Sequence, residues 1–211
     1  DVLGRIIEVI TGKHLESVFK ERIFDPLKMT DTSFSVPDDK LDKFCALYTR
    51  TNENPLKKLE DADDSRFRQP VIMNSGGGGL VSSMRDYVSF VEMIRRLGKL
   101  DGERVLGRKT VQYMMQNHLP GDMASMGQKT FSEMPMTGVG FGLGGAVLLD
   151  PVRSEILGSK GEFTWGGVAS TAFWIDPLED ISVVFMTQLI PSSSYPIRRE
   201  LRVLVYQALV D

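Results

Sequence analysis

The chain has 211 residues, a formal net charge of −3 from 25 basic and 28 acidic residues, 42% hydrophobic residues and 25% charged ones. That is the balance of an ordinary globular chain, long enough to bury a core. No basic excess points to nucleic acid, no polybasic block points to a membrane surface, and no apolar run approaches the roughly 18 residues that span a bilayer.

The chain opens with DVLGRIIEVITG, without a methionine or a signal peptide. Val2, Leu3, Ile6, Ile7 and Ile10 recur at helical spacing, and Gly12 stands where a helix C-cap belongs. The chain thus starts inside a helix or at its first turn, and reads as the later part of something longer. LESVFKERIF is expected to form a second helix with Leu15, Val18, Phe19 and Ile23 on one face. Asp25-Pro26 is expected to end it, because proline disfavours helix in the residue before it. LKMTDTSFSVPDD reads as a turn and an extended piece. Residues 38–70 read as loop with short helical or extended pieces.

SGGGGLVSS, 75–83, cannot lie inside a helix without large cost. SMRDYVSFVEMIRRLG is a strong helix, with Tyr87, Phe90, Val91, Ile94 and Leu97 as its stripe, Ser82 or Ser83 as N-cap and Gly98 at its end. A turn at Asp101-Gly102 and a helix over GRKTVQYMMQN follow. Residues 119–137, rich in Met, Gly, Pro and Ser, read as a surface loop. Then VGFGLGGAVLLD, VASTAFWID and ISVVFMTQL read as three strands, the last two joined by a hairpin turn at Pro177 to Asp180. IRRELRVLVYQALV closes the chain as a helix opened by Pro196. The layout is α+β: a mainly helical lobe over 1–118, a loop over 119–137, and an antiparallel meander plus C-terminal helix over 138–211.

Few constellations carry chemistry. His14, His118 and the one cysteine, Cys45, are far apart and none lies at a ligand spacing, so no metal and no other cofactor is expected. Cys45 also cannot form an internal disulfide, so the fold does not rest on an oxidising compartment. The acidic run Glu60, Asp61, Asp63 and Asp64 lacks the glycine and spacing of a calcium loop and reads as solvated. Gly76 to Gly79 precede a helix, but no Gly-Lys-Ser/Thr follows; a tight crossing is favoured over a phosphate cradle. Ser17-Val18-Phe19-Lys20 has the Ser-x-x-Lys spacing of a nucleophile and its base. Helical phase, however, turns Ser17 and Lys20 away from the apolar face, and a solvated lysine is a poor base. Tyr87, in the one Tyr-x-Ser string, lies on an apolar stripe and reads as core.

One stretch stays open on its residues alone. In GEFTWGGVASTAFWIDP, Trp165-Gly166-Gly167 leads into an alternating run. Glycines there mark either a bulge at a sheet edge or a place where a ligand nears the backbone, and a free N–H could stabilise an oxyanion.

The strings DVLGRIIEVITGK, ERIFDPLKMTDTSF, SGGGGLVSSMRDYVSFVEMI, LDGERVLGRKTVQYM, GFGLGGAV and WGGVASTAFWIDP occur in this order across nearly the whole chain. The ordered set resembles the serine β-lactamase and penicillin-recognising superfamily, in particular its class C β-lactamase and family VIII carboxylesterase branch. Lys28 departs from it, standing where the family usually has glycine. The resemblance implies a β-lactamase/transpeptidase-like fold, an antiparallel sheet flanked by helices beside a helical lobe. It also implies a serine hydrolase, carboxylesterase or β-lactamase-like, acting through an acyl-enzyme on a small-molecule ester or β-lactam. Trp165, Gly166 and Gly167 take the place of the third motif on a sheet strand, and Val168 that of the oxyanion N–H. Trp165 in place of the lactamase lysine favours esters, since a cation would hold the β-lactam carboxylate whereas an indole packs apolar groups.

The family's Ser-x-x-Lys and Tyr-x-Asn motifs, its N-terminal strands and its nucleophile helix map onto nothing in this chain. The chain alone is therefore expected to be inactive. A missing N-terminal segment present as a separate chain would complete the sheet, and without it the chain is expected to self-associate through an exposed sheet edge. The competing reading is a non-catalytic binding or scaffold protein with the inherited fold.

Overall fold

The computed structural model describes residues 1–53, 55–69 and 71–210. Helix α1, Val2–Thr11, ends where Gly12 takes φ 65 and donates to the Glu8 carbonyl at 2.8 Å, the left-handed cap that glycine allows. Its apolar residues do not face a core. Val2, Leu3, Ile6, Val9 and Ile10 are all exposed, and Gly4 is the buried residue. Gly4 is where α1 crosses the glycine loop: a Cβ on Gly76 would lie 3.0 Å from Gly4 N and 3.1 Å from Gly4 Cα. The Asp1 carboxylate accepts from Ser75 Oγ at 2.6 Å at the same crossing. The glycine run thus supplies close backbone packing, as favoured above.

Helix α2, Leu15–Phe19, buries Leu15 and Val18 and leaves Ser17 and Lys20 exposed. Proline does not stop the chain there. A π-helical turn, Lys20–Phe24, runs into a last helical turn, Asp25–Leu27. Pro26 falls in the first residues of that turn, where its missing N–H costs nothing. The helical path ends instead at Lys28, which takes φ 55 and ψ 37.

Helix α3, Met84–Arg95, begins with Ser83 Oγ accepting from Asp86 N at 3.3 Å. The Asp86 carboxylate is itself buried and accepts from Asp31 N at 2.6 Å and Thr32 Oγ1 at 2.9 Å, which pins the turn after Lys28 to α3. Asp101, φ 47, and Gly102, φ 93, reverse a short ribbon. Helix α4, Arg108–Met114, buries Val111.

Eight strands matter here. A small sheet joins β1, Leu47–Thr49, antiparallel to β2, Lys57–Glu60, and parallel to the late strand β8, Leu189–Ile190. Among the described residues the main sheet has five strands in antiparallel meander: β3, Val139–Phe141; β4, Ala146–Leu148; β5, Phe163–Gly166; β6, Ala172–Asp176; β7, Ile181–Phe185. VGFGLGGAVLLD is therefore a hairpin rather than one strand, reversing through Gly142 to Gly145, with Gly144 at φ 94. Trp165 also belongs to the strand before the turn, not to the one after it.

Residues paired across a sheet share a face. Val147, Phe163, Phe173 and Ile175 join Val91, Ile94, Val111 and Phe24 in the main core. On the other face lie Ala146, Thr164, Trp174 and Asp176. That face is covered by helix α5, Ile197–Tyr206, and by part of the segment 119–137. This segment is not simply surface. Met134 and Met136 are buried against Val139, Ala146 and Leu148, because the sheet needs an apolar cover on this side.

Candidate active-site wall

The β5–β6 hairpin is built from a three-residue loop, Val168, Ala169 and Ser170. Ser170 N donates to the Gly167 carbonyl at 3.2 Å, Gly167 N donates to the Thr171 carbonyl at 3.1 Å, and Ser170 takes φ 67. This is the bonding of a turn closed by a left-handed residue. The loop is held from outside as well. Leu189 N donates to the Ala169 carbonyl at 3.2 Å, and buried Ser170 donates from Oγ to the Leu189 carbonyl at 2.6 Å. Strand β8, and through it β1, thus fixes the hairpin tip.

Trp165 is half-buried near this tip. Its ring stacks on Phe131 at 4.9 Å between centroids and meets Phe141 edge-on at 5.2 Å. The result is an aromatic cluster drawn from three segments. A cavity of about 60 Å3 opens beside it, lined by Phe131, Met134, Thr164, Trp174, Arg198 and Arg202.

Both glycines have a local reason. A Cβ on Gly166 would lie 2.9 Å from Arg198 Nη2 and 2.8 Å from the Thr171 carbonyl. A Cβ on Gly167 would lie 2.6 Å from Thr171 Oγ1. What comes close to Gly166 is the chain's own guanidinium. Arg198, 7% exposed, donates from Nη2 to the Gly167 carbonyl at 2.9 Å and to the Thr171 carbonyl at 3.0 Å, and from Nη1 to Glu133 Oε2 at 3.0 Å. Val168 is 73% exposed, and its N–H donates to none of the described residues.

Further along α5, Arg202 Nη1 donates to Glu162 Oε2 at 2.5 Å and its guanidinium lies 4.6 Å from the Trp174 ring. Tyr206 Oη is 2.8 Å from both Glu162 Oε2 and Asp176 Oδ2. Burial pushes the Glu162 carboxyl up, against the pull of Arg202, and burial together with the Glu162 charge pushes the Tyr206 phenol up. The polar stripe 198, 202, 206 therefore faces the sheet, while Val203 and Leu204 on the same helix are exposed.

The other sequence candidates lie elsewhere. Lys20 pairs with Asp25 in solvent. Tyr87 packs on Phe90 and Phe173, and burial pushes its phenol up to about 12. Arg198, Glu133 and Phe131 were not singled out by sequence. The signal for Arg198 was a cation in the first turn of a helix, where the helix dipole disfavours it.

Residues 1–207 match the beta-lactamase family. The chain belongs to that family. It is 32% identical over 198 residues to protein Rv1367c of Mycobacterium tuberculosis, covering 92% of this chain and 48% of that protein. It is 30% identical over 199 residues to the lovastatin esterase of Penicillium rubens, covering 83% of this chain and 45% of that enzyme. Among solved structures, EstCE1, a hydrolase with promiscuous acyltransferase activity, superposes with a TM-score of 0.80 at 29% identity, covering 97% of this chain and 54% of that one. The chain spans about half the length of these relatives. The beta-lactamase-family fold expected from the ordered strings, α+β with an antiparallel sheet flanked by helices, is thus the fold observed.

Proposed function

We propose that these residues form the oxyanion-side wall of a serine esterase that works through an acyl-enzyme. The observation that carries this reading is the Val168 N–H, which donates to none of the described residues and belongs to an exposed residue on a hairpin tip held by β8 and Arg198. A donor that is fixed before the reaction stabilises developing charge without reorganising. In this reading a serine outside these 211 residues, activated by its own lysine, attacks the ester carbonyl. The carbonyl oxygen becomes an oxyanion and accepts from Val168 N–H. The alcohol leaves, and water then releases the acid.

The aromatic cluster of Trp165, Phe131 and Phe141 supports an ester with an apolar acyl or alcohol group. Trp165 offers no cation to the carboxylate of a β-lactam acid. The lovastatin esterase and EstCE1 support ester chemistry from the side of the relatives. The isolated 211-residue chain is inactive in this reading. The test is to assay the full-length gene product on short-chain p-nitrophenyl esters and on penicillins. Faster ester turnover supports the proposal. Faster penicillin turnover overturns the substrate class, and no turnover of either supports the non-catalytic scaffold instead.

A further inference from the structure

We infer that Arg198 is a positioning residue that aims the Val168 N–H, an inference that rests on the esterase reading above. A trans peptide points its C=O and N–H in opposite directions, and the Ile190-Pro191 bond is the cis bond in the described chain. Holding the Gly167 carbonyl therefore sets the direction of the Val168 N–H. Within the loop that carbonyl has one bond, the 3.2 Å contact from Ser170 N. Arg198 Nη2 adds a second at 2.9 Å, from a charged donor outside the loop. Charge-assisted bonds are about twice as strong as neutral ones.

The guanidinium is built into this place. It rests on the bare Cα of Gly166, and Glu133 holds its other amino group at 3.0 Å. Nη2 also bonds the Thr171 carbonyl, which accepts from Gly167 N, so one nitrogen spans both sides of the loop base. The macrodipole disfavours a cation in this first turn of α5. Its position follows from what it holds. A cation on the carbonyl oxygen also polarises the peptide, which strengthens the N–H as a donor.

The experiment compares Arg198→Met, Arg198→Lys and Tyr206→Phe in the full-length gene product. Tyr206 is the control: a phenol two turns along the same helix, bonded to Glu162 and Asp176, that touches neither the loop nor the cavity beside Trp165. With a p-nitrophenyl ester, Arg198→Met is expected to lower kcat by about a hundredfold, the effect of a small misplacement of a reacting group, with KM nearly unchanged. Arg198→Lys, which keeps the charge but not the planar fork, is expected to recover part of that loss. Tyr206→Phe is expected to lower the melting temperature and keep kcat. Wild-type kcat in Arg198→Met, or equal losses in Arg198→Met and Tyr206→Phe, overturns the inference. Absence of ester turnover in the wild type defeats the esterase reading instead. The positioning claim is then read from the Val168 amide, whose 15N–1H resonance and hydrogen exchange shift in the Arg198 variants and not in Tyr206→Phe. An unmoved Val168 amide overturns it.

Discussion

Ser182 Oγ donates to Glu92 Oε1 at 2.5 Å, joining the edge strand β7 to the helix α3 that packs on the sheet. Glu92 also accepts from Arg95 Nε and Nη2, both at 2.8 Å, and Arg95 reaches Asp180 in the β6–β7 turn. The Arg95 bonds hold the Glu92 carboxyl at about 2, with Ser182 helping and burial opposing. A depressed carboxylate stabilises the fold fully above its ordinary value of 4.5 and loses that contribution as pH falls toward about 2. The melting temperature is therefore expected to drop over this acid window. Glu92→Gln is expected to be less stable at neutral pH and to show a shallower acid drop. An unchanged acid limb in that variant contradicts the assignment.

Lys28 closes the second helical stretch at φ 55, in the left-handed region, and the family resemblance puts glycine there. A residue with a Cβ pays about 1–2 kcal/mol for that conformation, so Lys28→Gly is expected to stabilise the chain by about 1 kcal/mol despite its freer unfolded state. Chemical denaturation measures it. A destabilised variant would show that the lysine side chain contributes more than its backbone costs.

Features decided within a few residues are legible in the sequence. A cap at Ser82 or Ser83, the cap at Gly12, the periodicity of α3 and the turn from Pro177 to Asp180 all follow from local spacing, and the structure selects Ser83. Strand count does not, because the apolar run through Gly142 to Gly145 reads as continuous until Gly144 takes φ 94. The facing of α5 is hidden for a different reason. Periodicity separates Arg198, Arg202 and Tyr206 from Val203 and Leu204, but only Glu162, Asp176 and the Gly167 carbonyl, far away in sequence, draw the polar side inward. At the proposed wall, Trp165 to Val168 are what the resemblance points to. Nothing in it located the arginine that packs on Gly166.

The same inversion leaves apolar surface uncovered. Val203 and Leu204 on α5 and Val2, Leu3, Ile6, Val9 and Ile10 on α1 are exposed, and β7 is an edge strand of the main sheet. Exposed edges and apolar faces invite pairing. The 211-residue chain expressed alone is expected to self-associate, with a sedimentation coefficient that rises with concentration. A monomer with one cooperative melt across the same range would contradict this.

Val168 itself offers the most direct test. It stands at the second position of the turn from Gly167 to Ser170, where proline is favoured. Val168→Pro thus removes the N–H and leaves the turn bonding intact. In the full-length gene product, p-nitrophenyl ester hydrolysis by Val168→Pro is expected to lose about a hundredfold or more in kcat, the effect of deleting one oxyanion donor, at an unchanged melting temperature. Wild-type kcat in a folded Val168→Pro variant would contradict the placement of the oxyanion wall at this hairpin.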